Sequence, residues 1–126
     1  MGRLASGRRI LVVEDDMLVR LSIESMLADL GCTSVSVAAT VKQALSLLDS
    51  QAFDLAMLDL NLDGSRSDPV ADALAARGVP FLFSTGYSEH QAYVAYPGRP
   101  VLMKPYPSSK LVAALTELLN KGASPP

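Results

Sequence analysis

Four short apolar runs in this chain end in side chains that can do chemistry. Glu14, Asp15 and Asp16 follow Arg9–Val13. Asp59 closes the run that begins at Phe53, and Asn61 and Asp63 come just after it. Ser84 and Thr85 close the run that begins at Val79. Lys104 and Pro105 follow Val101–Met103. If these run ends converge, several carboxylates share a site with a hydroxyl and an amine. Carboxylates packed that closely repel one another unless a cation sits among them. A hard divalent ion with oxygen ligands fits, and magnesium is the first choice. Lys104 can neutralise further charge, and the Thr85 hydroxyl can donate to an incoming oxyanion. Such a site suits phosphoryl transfer. One carboxylate attacks while metal and lysine stabilise the equatorial oxygens.

The elements that must position these residues read as strands alternating with helices. Arg9–Val13 is short, apolar and rich in β-branched residues, as a buried strand is. Leu18, Leu21, Met26, Leu27 and Leu30 recur at helical spacing and predict the apolar face of a first helix, stopped by Gly31. Thr33–Val37 alternates Val with Ser or Thr, which predicts a more exposed strand. Thr40 and Gln43 form a capping box for a helix through Leu48. Phe53–Leu60 contains a buried strand, Val70–Ala76 is a short helix ended by Gly78, and Val79–Ser84 is a fourth strand. Ser88–Tyr96 is a weak helix candidate. Val101–Met103 is a fifth strand. Ser108 or Ser109 can cap a last helix over Leu111–Asn120. Five strand–helix units with short connections imply an all-parallel sheet with helices on both faces. In such sheets ligands bind at the carboxyl ends of the strands, which is where the polar residues stand.

Composition excludes other classes. The 126 residues suit one domain. Hydrophobic residues make up 49% of the chain, enough for a real core. The net charge of −2 gives no reason to expect nucleic-acid binding. Arg3, Arg8 and Arg9 read as a solvated face. The lone Cys32 excludes an internal disulfide and fits a reducing, cytoplasmic setting. No apolar run approaches the ~20 residues of a membrane span. Residues 1–7 and 122–126 read as flexible ends around a unit over 8–121. DLNLDG (Asp59–Gly64) imitates the first half of a calcium-binding EF-hand loop. Val70 stands at the twelfth position, where a bidentate glutamate is needed, so that reading fails. His90 reads as solvated, and Tyr93 and Tyr96 as packing or partner-surface residues.

Four fragments carry a family resemblance: ILVVEDD (Ile10–Asp16), FDLAMLDLNL (Phe53–Leu62), FSTGY (Phe83–Tyr87) and MKPY (Met103–Tyr106). In this order, each at a strand end, they resemble the response-regulator receiver domains of two-component signalling. The resemblance implies a flavodoxin-like doubly wound sheet of strand order 2-1-3-4-5. It implies that Asp59 accepts a phosphoryl group from a sensor histidine kinase or phosphotransfer protein. Glu14, Asp15, Asp59 and the backbone carbonyl of Asn61 would hold magnesium, and the Asn61 side chain would tune hydrolysis. Thr85 would be the switch hydroxyl, Lys104 a phosphoryl contact, Asp16 a helix cap, and Lys104–Pro105 a cis peptide. The expected role is a signalling phosphoacceptor, not an enzyme. It would act as a phosphate shuttle or sink or through a downstream protein, with homodimerisation left open.

The chain also departs from that pattern. LDGSRSDP (Leu62–Pro69) replaces a Met-Pro-x-Met-Asp-Gly-like loop, with Asp63 at the proline position. Val101 occupies the place of an aromatic switch residue. PFLFSTGY (Pro80–Tyr87) resembles a subgroup with a Pro-Phe-x-Phe-Ala-Thr-Gly-Tyr signature, Ser84 replacing its alanine, which makes Tyr87 a second switch candidate. One alternative is an aspartyl-phosphate phosphohydrolase of haloacid dehalogenase type. That chemistry needs an acid two residues after the nucleophile, where Asn61 stands and cannot donate a proton that way. The other is a degenerate receiver that only binds a partner.

Overall fold

The computed structural model describes residues 4–62, 64–86 and 98–123, with backbone alone for 121–123. Tyr87, the Ser88–Tyr96 helix candidate and Asp63 lie outside the described residues. The elements are β1 (Arg9–Val13), α1 (Met17–Asp29), β2 (Ser34–Ala38), α2 (Val41–Ser50), β3 (Leu55–Leu58), β4 (Asn61–Leu62), β5 (Ser65–Arg66), α3 (Asp68–Ala76), β6 (Phe81–Thr85), β7 (Val101–Met103) and α4 (Ser108–Ala123). Five strands pair in parallel in the order β2-β1-β3-β6-β7, as expected, and β4 and β5 form a separate antiparallel hairpin.

Strand alternation divides the core in two. Ile10, Val12, Leu55, Met57 and Leu82 face α1 and α4, where they meet Ile23, Leu27, Leu111 and Leu115. Leu11, Val13, Ala56, Leu58, Phe81 and Phe83 face α2 and α3, where they meet Ala44, Leu48, Val70 and Leu74. Successive side chains of a strand point to opposite faces, so near-continuous apolar runs are what a doubly covered sheet requires. Among the described residues no helix is long and apolar enough to cross a membrane.

The helix ends follow local chemistry. The Asp16 carboxylate accepts from the amides of Leu18 and Val19 at 2.9 and 3.2 Å, capping α1. Gly31 stops α1 at a φ of +88°. Thr40 Oγ1 accepts from the Gln43 amide, and Gln43 Oε1 accepts from the Ala39 amide, a capping box displaced by one residue.

Several expectations need correction. Leu18 and Leu21 are 78% and 55% exposed, so they do not form the apolar face of α1. Leu27 and Leu30 do form it, with Met26 packed beside them and Ile23 added, because a helix buries the side its docking selects. The last helix begins at Ser108, not after a serine cap. The Pro107 carbonyl accepts from Lys110 at 3.0 Å and opens it. Apart from these corrections, Ala5, just ahead of the unit expected over 8–121, is buried and its amide donates to the Leu30 carbonyl at 2.9 Å. Cys32 is buried beside β2, its thiol directed at the Arg8 carbonyl.

Candidate functional site

Parallel pairing carries the strand ends to one edge of the sheet. Three backbone bonds extend the ladder past the strands: Glu14 amide to Ala38 carbonyl, Asp59 amide to Val13 carbonyl, and Lys104 amide to Thr85 carbonyl, at 2.9, 3.0 and 2.8 Å. Glu14, Asp59, Thr85 and Lys104 therefore sit at adjacent strand ends, as the sequence placed them. The Lys104–Pro105 peptide is cis.

Lys104 bridges two carboxylates. Its Nζ donates to Asp59 Oδ2 at 2.9 Å and lies 2.6 Å from Glu14 Oε1. The Glu14 contact is an ion pair by distance, but its angles leave Oε1 with no aligned donor. Glu14 Oε2 accepts from the Asp16 amide at 3.0 Å, and Asp59 Oδ1 from the Asn61 amide at 3.2 Å. The side chains of Glu14 and Asp59 are 2% and 8% exposed, and that of Lys104 is 20% exposed.

Burial dominates the titration of Glu14. It pushes the carboxyl up from 4.5 to about 7, with the Asp59 charge adding to the rise. Lys104 and the Asp16 amide oppose it. For Lys104, burial pulls the ammonium down, but the bond to Asp59 and the negative charge of the adjacent Glu14 outweigh it and leave the amine above its ordinary value. A site with one half-buried cation and a carboxylate disfavoured by burial has room for more positive charge.

One oxygen from each of Glu14, Asp15 and Asp59 lies within 4.8 Å of the others. This all-oxygen donor set, with an unaligned buried Glu14 oxygen, fits a hard divalent cation. Asp16 is engaged as the α1 cap and stands apart from the set. Thr85 is fully buried and its hydroxyl donates to the Gly86 carbonyl at 3.3 Å. Asn61 opens the β4–β5 hairpin, and its side-chain oxygen accepts from the Gly64 amide at 3.1 Å.

Two features escaped the sequence reading. One is the hairpin itself, signalled by Asp63-Gly64 between Leu62 and Ser65. The other is the hydroxyl pair of Ser84 and Tyr106, 3.2 Å apart, which links the end of β6 to the turn after β7. Burial raises the Tyr106 phenol above its ordinary value, with Ser84 opposing.

Comparison with known proteins agrees with this geometry. The family model described as "Response regulator receiver domain" matches residues 10–116. SdrG from Sphingomonas melonis Fr1 is similar at 42% identity and a TM-score of 0.81, over 89% of this chain and 96% of that one. The receiver domain of the PhyR response regulator from Erythrobacter litoralis is similar at 26% identity and a TM-score of 0.82, over 96% of both chains. The transcriptional regulatory protein PdtaR of Mycobacterium tuberculosis is 26% identical in an alignment 120 residues long that covers 88% of this chain and 56% of PdtaR. The chain thus spans little more than half the length of that curated relative. With the parallel sheet, the clustered carboxylates and the bridging lysine in place, the chain belongs to the response regulator receiver domain family, the phosphoaccepting component of two-component signalling.

Proposed function

We propose that Asp59 is the phosphoacceptor of this receiver, with a histidine kinase or phosphotransfer protein as donor. The single observation that carries this is the Lys104 bridge. A buried aspartate at the end of β3 is held by an ammonium and faces a carboxylate pair from β1. In this reading Glu14, Asp15, Asp59 and the Asn61 carbonyl hold magnesium. When bound, magnesium supplies positive charge against the oxygens of the transferring group. Asp59 presents its carboxylate in line to the donor phosphorus, and Lys104 follows the charge onto the new acyl phosphate. Thr85 turns its hydroxyl from the Gly86 carbonyl toward the phosphoryl oxygens, which shifts the surface around β6 and β7 between two states.

A protein donor suits the surroundings. A groove of about 400 Å³ beside the site is lined by Leu18, Val19, Met26, Lys104, Pro105 and Tyr106. The adjoining α1 surface leaves Met17 and Leu18 62% and 78% exposed. Apolar patches of this kind favour protein contact. The proposal extends to a receiver unit over 8–121, a cytoplasmic setting, and membership of the subgroup whose signature Pro80–Tyr87 resembles, with Tyr87 as a second switch residue.

The test is phosphotransfer from the host's histidine kinases and from acetyl phosphate, with magnesium and with chelator. Magnesium-dependent, acid-stable and base-labile labelling is expected. No labelling from any kinase or from acetyl phosphate would leave the chain a binding module.

A further inference from the structure

The hairpin after Asp59 is too small to hold itself. β4 and β5 have two residues each, and even larger isolated hairpins are marginal in water. Three features fix it. Leu62 is buried in the same core as Leu60, Val70 and Leu74. The Ser67 amide donates to the Leu60 carbonyl at 3.0 Å and closes the base. The Gly64 amide donates to Asn61 Oδ1 at 3.1 Å and closes the tip.

Gly64 has a φ of +87°, in the left-handed region that strains an L side chain. Nothing lies within 4 Å of where its Cβ would stand. The position therefore demands a backbone shape and makes no demand on space. Asn61 is tied on both sides, its amide to Asp59 Oδ1 and its side chain to Gly64.

We infer that the hairpin is a positioning device, in which Gly64 and Leu62 hold the Asn61 backbone where its carbonyl serves the magnesium site. This rests on the assignment of Glu14, Asp15, Asp59 and Asn61 as that site. Gly64 and Leu62 are positioning residues that touch neither metal nor phosphoryl group.

The experiment compares the parent chain with Gly64→Ala, Gly64→Asn and Asp15→Asn. Magnesium dissociation constants are read from NMR chemical-shift titrations. Amide exchange at residue 64 and urea melts are recorded on the same samples. Gly64→Ala is expected to weaken magnesium binding by roughly three- to tenfold, the factor that a fraction of the left-handed strain produces. Its residue 64 amide exchanges faster, and its urea midpoint falls as well, because the part of the strain that the metal does not meet burdens the metal-free fold. Gly64→Asn recovers most of the affinity, because asparagine tolerates the left-handed region. Parental affinity in Gly64→Ala, beside lost binding in Asp15→Asn, overturns the positioning role and leaves the site standing. Equal weakening in the Ala and Asn variants overturns it too. Parental affinity in Asp15→Asn overturns the site assignment itself.

Discussion

Glu14→Gln isolates the strain in the acidic site. Glu14 is 1% exposed, and burial pushes its carboxyl from 4.5 to about 7. In the metal-free chain the folded state keeps a proton that the unfolded state has already released between those two values. Stability must then fall as pH rises through that window, because the native state binds more protons. At about 1.4 kcal/mol per pH unit, the full rise corresponds to about 3 kcal/mol above pH 7. Relaxation of the site reduces this, so about 1–3 kcal/mol is expected at pH 8. Glutamine keeps the shape and removes the titration. With chelator present, urea melts at pH 5 and pH 8 decide the matter. The variant is expected to match the parent within about 1 kcal/mol at pH 5 and to exceed it by about 1–3 kcal/mol at pH 8. Magnesium then narrows the pH 8 gap, since it binds the folded parent more tightly than the variant. A variant less stable than the parent at pH 8, or a gap that ignores pH, would refute the reasoning. It would mean that the Lys104 ion pair outweighs burial at Glu14.

Other substitutions probe separate links. Lys104→Met removes the bridging ammonium, so magnesium should bind more tightly while phosphoryl transfer falls by at least about tenfold. Weaker magnesium binding, measured by calorimetry, would contradict this competition between cations. Asp16→Ala deletes the α1 cap and should cost about 1 kcal/mol in a denaturant melt, with little change in magnesium affinity. Leu27→Ala should cost about 2–5 kcal/mol, whereas Leu18→Ala should stay within about 0.5 kcal/mol. Equal costs at the two leucines would contradict the observed phase of α1.

The sheet and the site were legible because both depend on where apolar runs stop. A doubly covered strand is a run of apolar residues, and its carboxyl end is marked by the first polar side chain. Glu14, Asp59, Thr85 and Lys104 were found that way, and their convergence follows from parallel pairing alone. The phase of α1 was legible only in part. Met26, Leu27 and Leu30 pack on the sheet as their spacing suggests, whereas Leu18 and Leu21, grouped with them, lie on the exposed side, and only docking on the sheet separates the two sets. The hairpin was missed although Asp63-Gly64 announces a tight turn, because two-residue strands show no periodicity. The Ser84–Tyr106 pair joins residues far apart in sequence, and spacing carries no sign of such a tertiary bond.

The central claim is that the phosphoryl group resides on Asp59. The most direct measurement is its chemical location. The chain is labelled with acetyl phosphate and magnesium, trapped with borohydride, digested, and sequenced by mass spectrometry. Borohydride converts an aspartyl phosphate to homoserine, so the conversion should map to residue 59 and vanish in Asp59→Asn. Homoserine at Asp15, or conversion that persists at another residue in a folded Asp59→Asn chain, would contradict the account.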